Sequence, residues 1–327
     1  MVDTGNDIAR AAALLRAGEL VAIPTETVYG LAGNAFDEEA VLKIFRVKNR
    51  PTFNPVIVHT DTLDKVYSFV RHMPRALLTL AEIYWPGPLT LLLPRQEIIP
   101  DLVTAGKARV AVRIPRHPMA LSLLSQLDFP LAAPSANPFG YISPTTAAHV
   151  ADQLGESIPY ILDGGPTEVG LESTIVGLGS DGQIEMYRLG GISPEEIEAY
   201  TGPVRIRNHA GDDPEAAGML QSHYAPRTPL VRWEGGEIPA AYRHLRLGVL
   251  AFREAPDDID PAQVQVLSPK GSTGEAASRL FAALRYLDAL RLDLILAEPA
   301  PDKGLGRAIN DRLIRAEADR KPRNTPV

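Results

Sequence analysis

The chain has no cysteine among its 327 residues. Disulfides, a thiol nucleophile, iron–sulfur clusters and cysteine-ligated zinc are therefore excluded, which is compatible with a cytoplasmic protein. Long apolar runs are also missing: no stretch approaches the roughly 18 consecutive apolar residues of a membrane span. The opening MVDTGNDIAR has neither the basic start nor the apolar core of a secretory signal. The expectation is a cytoplasmic chain with no membrane association. Positive charge is not in excess either. Lysine and arginine total 33 against 40 acidic residues, a net charge of −7, which argues against a general nucleic-acid binder. The GxxxxGK[ST], HExxH and GxSxG patterns are absent, and the seven histidines show no metal-ligand spacing, so a protein-held metal is not expected.

What is present is an ordinary globular composition, 45% hydrophobic and 22% charged. Single hydrophobic cores stop growing near roughly 250–300 residues, so this length favours two domains. Residues 201–229 are rich in proline and glycine, and 210–228 read as a linker between a domain over 1–209 and a smaller one over 229–327. The larger domain mixes strands and helices. Short apolar runs at 20–24, 55–59, 89–93, 109–114, 130–133, 159–162 and 173–176 are strand candidates. Asp37 caps a helix running to about Val47, which Pro51 stops. Ser193-Pro194-Glu195-Glu196 reads as a capped helix start. The smaller domain alternates strands (245–252, 263–267, 292–297) with helices (273–290, 305–319), an α/β pattern that predicts a parallel sheet.

Gly177 to Gly182 fits GxGxxG after a strand, but residues 183–188 alternate like a second strand instead of opening a helix. A hairpin turn is the better reading. More telling are polar residues at strand ends, where α/β proteins bind ligands. Lys43, Arg46, Lys48 and Arg50 form a basic island without an acid, and Lys107, Arg109, Arg113 and Arg116 a second. Such islands suit a small anionic ligand, or are solvated surface. Lys48-Asn49-Arg50 at a helix end also fits a simple dipole interaction. Arg113 lies inside an apolar strand and must find an anion, either a ligand's or that of a structural salt bridge. The small residues of Ala132 to Asn137 permit close backbone approach to a ligand, or make a plain turn.

Read in order, PTETVYGLAGNA (24–35), IFRVKNRPTFNPVIVH (44–59), WPGPLTLLL (85–93), VAVRIPRHP (110–118), APSANPFGYISPT (133–145), LESTIV (171–176) and YRLGGIS (187–193) closely resemble the YrdC-like family. GMLQSHYAP (218–226), RLFAALRYLDAL (279–290) and LILAEPAPDKGLGRAINDRL (294–313) resemble its two-domain threonylcarbamoyl-adenylate synthases. The resemblance implies a YrdC-like twisted open α/β sheet domain followed by a small Rossmann-like α/β domain. It also implies condensation of L-threonine, bicarbonate and ATP, with Mg2+ carried by ATP, to threonylcarbamoyl-AMP and pyrophosphate. A downstream tRNA-modifying transferase would use that product. Carried over by motif, Lys48, Arg50, Asn54, Ser135, Asn137, Ser143, Arg188 and Tyr224 are implied on the ATP side, with Lys48 and Arg50 the catalytic pair. Thr27, His59, Arg113 and Ser173 are implied on the threonine side. Residues 218–226 are expected to form a lid, the alternative being a tether packed on the surface. Arg109 departs from the family pattern, which commonly has threonine there. Two rivals are a hydrogenase-maturation carbamoyltransferase, whose cysteine zinc fingers this chain lacks, and a non-catalytic RNA-binding module, disfavoured by the acidic balance.

Overall fold

A computed structural model describes residues 2–208, 214–220 and 224–317. Two compact units account for the chain. The first comprises Met1–Phe139, Ser143–Glu168 and Glu172–Leu220; the second comprises Gly140–Ile142, Val169–Leu171 and Gln221–Val327. Among the described residues no helix is long and apolar enough to cross a membrane.

The first unit is built on strands β1 (Asp3–Gly5), β2 (Val21–Ile23), β3 (Gly30–Asn34), β4 (Ile57–His59), β5 (Leu89–Pro94), β6 (Arg109–Arg113), β7 (Leu131–Ala132), β8 (Tyr160–Leu162), β9 (Thr174–Leu178), β10 (Ile184–Arg188) and β11 (Arg205–Ile206). They form one mixed sheet in the order β1-β8-β2-β3-β7-β4-β6-β5-β9-β10-β11. Each apolar run read as a strand contributes one. β1 and β3 escape that reading because DTG is polar and GLAGN carries two glycines in place of β-branched residues. Their neighbours impose extension: β1 pairs with β8, and β3 lies between β2 and β7.

Helix Ile8–Arg16 buries Ala11, Ala12 and Leu15, a helical spacing, and with Leu123, Leu124 and Leu127 covers Val21, Ile23, Leu131, Tyr160 and Leu162. A second cluster joins Ile57, Leu92, Ala111, Ile175 and Tyr187 to Ala216, Ala217 and Met219. Residues 216–219 thus lie packed on the sheet, although their surroundings in sequence are poor in apolar residues. The expected caps form: Asp37 accepts from the Glu39 N–H at the start of helix Glu38–Lys48, and Ser193 and Glu196 make a reciprocal capping box. Gly177 and Leu178 end β9 and Gly179 to Gly182 turn the chain into antiparallel β10, so the GxGxxG pattern is a hairpin and opens no helix.

In the second unit, β12 (Leu230–Arg232), β13 (Leu247–Ala251), β14 (Val264–Val266) and β15 (Leu294–Ala297) form a wholly parallel sheet in the order β12-β15-β13-β14. Helices Thr273–Ala289 and Gly306–Glu317 accompany it. The alternation read from sequence therefore gives the expected parallel pairing. The three-residue β12 was hidden among the prolines and polar residues before it. The helix Gly306–Glu317 buries an ionic cluster: Asp311 accepts from both Arg312 and Arg315, and all three are nearly inaccessible.

One glycine in the first unit matters for position. A Cβ at Gly190 would lie 2.4 Å from the Glu172 carbonyl oxygen, 2.5 Å from the Ser173 carbonyl carbon and 2.6 Å from the Thr174 nitrogen. The chain after β10 therefore presses on the backbone that opens β9. Gly190→Ala is expected to destabilise the fold by about 1–3 kcal/mol through overpacking, and to displace Ser173. Thermal unfolding checks the first effect; an unchanged Tm would disprove the close approach.

Candidate active site

Strand register gathers most of the candidate residues. β4 and β6 are parallel with His59 opposite Arg113, so both side chains emerge from the same end of the sheet. β5 runs antiparallel to β6 and parallel to β9, with Leu91 opposite Val112 and Leu89 opposite Thr174. Thr90 and Ser173 are thereby brought to that same end, their hydroxyls 2.7 Å apart. β7 runs against β4 and carries the following segment, Pro134 to Asn137, toward the opposite end, where Lys48 and Asn54 lie. Residues Thr25 to Gly30 span the two groups. Thr27 meets Arg113, the Tyr29 N–H donates to the Pro144 carbonyl, and Gly30 bridges to Ser135. The segment keeps its bend because the Thr25 hydroxyl accepts from the N–H groups of Thr27 and Val28.

Around Lys48 the structure brings Arg50, Asn54, Ser135 and Asn137 together. Helix Glu38–Lys48 ends on Asn49, which adopts a left-handed conformation (φ 54°) and turns Lys48 and Arg50 inward. The Lys48 ammonium donates to the carbonyls of Ser135 (2.5 Å) and Asn137, while the Lys48 carbonyl accepts from the Phe139 N–H (2.7 Å). Helix end and loop therefore clasp each other. Burial and the neighbouring Arg50 charge hold the Lys48 ammonium well below the usual lysine range. Arg50 donates to the carbonyls of Asn54 (3.1 Å) and Pro55 (2.7 Å) and lies over the Phe139 ring. Asn54 is fully buried, yet neither atom of its side-chain amide has a hydrogen-bond partner. Buried polar atoms are rarely left so, and a ligand would satisfy them.

Thr27, His59, Arg113 and Ser173 form the second group, and Arg188 joins it. Arg113 donates from Nε to the Gly87 carbonyl (3.1 Å) and from Nη1 to the Thr27 hydroxyl (2.8 Å). Its Nη2 lies 2.8 Å from Oε1 of Glu26. The structural salt bridge left open from sequence is therefore present, although the N–H is misaligned and neither atom completes a hydrogen bond. Arg188 donates to both the carbonyl and the hydroxyl of Ser173, each at 2.9 Å. A further bond runs from its Nη1 to the Ala217 carbonyl at 3.3 Å, so Arg188, expected on the ATP side, makes contact with Ser173 of the threonine group. The His59 Nδ1 has no partner. Burial, then the Arg113 charge, push His59 down to about 3, so its imidazole is neutral across physiological pH.

Ser143 donates to Oε1 of Glu172 (2.5 Å), the residue before Ser173. Tyr224 belongs to the second unit, where its ring stacks on Phe281 and Arg312 lies 4.7 Å from its centroid. Of the expected lid, Gln221, Ser222 and His223 lie outside the described residues. Arg109 is committed to structure: it donates to the Leu178 carbonyl and the Tyr187 hydroxyl and pairs with Glu215 at 2.7 Å. Sequence reasoning missed Glu26 and Thr90. The first lies in the PTET run and could have been suspected as the anion that a strand-buried Arg113 requires.

A family model for the Sua5, YciO and YrdC proteins, described as "Telomere recombination", matches residues 13–190. A second, described as "Threonylcarbamoyl-AMP synthase, C-terminal domain", matches residues 192–318. The chain belongs to the Sua5/YciO/YrdC family. A threonylcarbamoyl-AMP synthase of Bacillus subtilis is 42% identical over 96% of this chain and 93% of its own. One of Pyrococcus abyssi is 40% identical over 95% of this chain and 94% of its own. A crystal structure of P. abyssi Sua5 complexed with L-threonine superimposes with a TM-score of 0.90 at 38% identity, covering 97% of this chain and 98% of that one. The expected family and α/β fold are both borne out.

In this Sua5/YciO/YrdC chain the neutral His59 has a measurable consequence. Its folded-state value near 3 lies below the ordinary 6.5, so between those values the unfolded chain binds the extra proton. The stability contributed by neutral His59 is complete above pH about 6.5 and is lost as pH falls toward 3. Denaturant unfolding of the ligand-free protein should show stability declining over that window, and His59→Gln should flatten the decline. An unchanged pH slope would show that His59 is not buried in neutral form.

Proposed function

We propose that this chain is an L-threonylcarbamoyl-adenylate synthase, condensing L-threonine, bicarbonate and ATP to threonylcarbamoyl-AMP and pyrophosphate. One coincidence carries the reading. A full-length likeness to P. abyssi Sua5, whose structure is described as complexed with L-threonine, falls together with a buried guanidinium, that of Arg113, one of whose donor nitrogens lacks an aligned acceptor. Arg113 receives the threonine carboxylate. The Thr27 and Ser173 hydroxyls and neutral His59 contribute hydrogen bonds to the same ligand. His59, near 3, is too weak a base to take a proton from the threonine ammonium, so it orients rather than titrates.

Lys48, Arg50, Asn54, Ser135 and Asn137 make the ATP side, with Ser143 and Arg188 at its border with the amino acid. The threonine amine and bicarbonate condense to a carbamate with loss of water. A carbamate oxygen then attacks the α-phosphorus, and the P–O bond to pyrophosphate breaks. No protein nucleophile is needed. Rate comes from holding the two substrates in line and from cations already desolvated where negative charge gathers. Mg2+ enters on the triphosphate of ATP as part of the substrate. The product, a mixed anhydride, would pass in the cytoplasm to a transferase that modifies tRNA.

Pyrophosphate release is expected to require threonine and bicarbonate together, and mass spectrometry should find an AMP adduct. ADP and phosphate as main products would overturn the adenylate chemistry. Arg50→Ala should weaken ATP binding by on the order of 2–5 kcal/mol while sparing threonine. Calorimetry with each ligand separately checks the split; unchanged ATP affinity would remove Arg50 from the nucleotide side.

A further inference from the structure

Glu26 is 2% exposed and was not among the residues suggested by sequence. Its two oxygens have different surroundings. Oε2 accepts from the Arg116 backbone N–H at 3.0 Å, which ties the carboxylate to the chain leaving β6. Oε1 faces Nη2 of Arg113 at 2.8 Å without an aligned hydrogen bond. A buried ion pair kept only for stability is favourable when geometry is good and the remaining donors are satisfied. This pair leaves one donor and one acceptor unsatisfied inside the site. The other two attachments of Arg113, to the Gly87 carbonyl and the Thr27 hydroxyl, are neutral. Glu26 is thus the one carboxylate in contact with this guanidinium among the described residues.

We propose that Glu26 is a positioning residue for capture of the amino-acid carboxylate, an inference that rests on the assignment of Arg113 to threonine. Anchored through Oε2, the carboxylate fixes the plane of the Arg113 guanidinium by charge alone and leaves the Nη2 hydrogens unspent. An arriving carboxylate meets a fork that is already oriented and desolvated. A neutral side chain at 26 could keep the Arg116 contact but could not hold a guanidinium at 2.8 Å through an unaligned contact. Arg113 would then turn toward whatever carbonyls it could reach.

The test compares ligands in the full chain by calorimetry. Glu26→Gln should raise the threonine Kd by about tenfold or more, the scale expected when a close buried charge partner is removed. ATP affinity should be unchanged. The preference for threonine over threoninol, which has an alcohol in place of the carboxylate, should shrink in the variant, a change that general loosening would not produce. Glu26→Asp keeps the charge but draws it back by a methylene; it should fall between the two and serves should Glu26→Gln fail to fold. Unchanged or tighter threonine binding would overturn the proposal, as would equal losses for threonine and ATP. Arg113→Lys in the same assay separates the two layers. If it leaves threonine affinity intact, the carboxylate assignment itself is wrong; if it abolishes binding while Glu26→Gln is silent, only the role of Glu26 falls.

Discussion

Buried cations set the terms for this molecule. Lys48, Arg50, Arg113 and Arg188 are each less than a tenth exposed, and an unsolvated charge is among the costliest things a fold can contain. The chain meets this cost largely with backbone dipoles: the carbonyls of Ser135 and Asn137 for Lys48, of Asn54 and Pro55 for Arg50, of Gly87 for Arg113, which also faces the Glu26 carboxylate, and of Ser173 for Arg188. Carbonyls stabilise a cation without cancelling its charge. The charges of Lys48 and Arg50 are thus left standing, and the loops that supply the carbonyls are fixed by the cations they solvate.

That exchange explains what sequence could and could not reveal. Lys48, Arg50 and Arg113 were conspicuous as charges beside or within apolar runs, and the register of β4 and β6 brings His59 beside Arg113. The carbonyl partners were invisible, because every residue has one and only the fold decides which points inward. Glu26 was concealed in another way. A carboxylate one residue from two threonines reads as ordinary loop polarity until Arg113 is found 2.8 Å away. Tyr224 shows the limit from the other side: its residue type was noticed, yet its stacking on Phe281 depends on a helix more than fifty positions later.

Element prediction failed for the same reason in miniature. Strands with β-branched runs declared themselves, while β1, β3 and β12 are extended chiefly because their neighbours are. Tertiary pairing overrode local preference at these short, polar or glycine-bearing segments. In Arg109, composition signalled charge correctly, but the fold spends that charge on Glu215 and on the ring and hydroxyl of Tyr187.

The pairing of β4 with β6 has an evolutionary consequence. Side chains alternate along a strand, so a one-residue slip would turn His59 and Arg113 to opposite faces of the sheet. Between Asn54, whose carbonyl accepts from Arg50, and His59, level with Arg113, the spacing cannot change by a single residue without dismantling one neighbourhood or the other. This stretch can therefore diversify by substitution but not by insertion or deletion, and length variation in descendants of this chain should fall elsewhere.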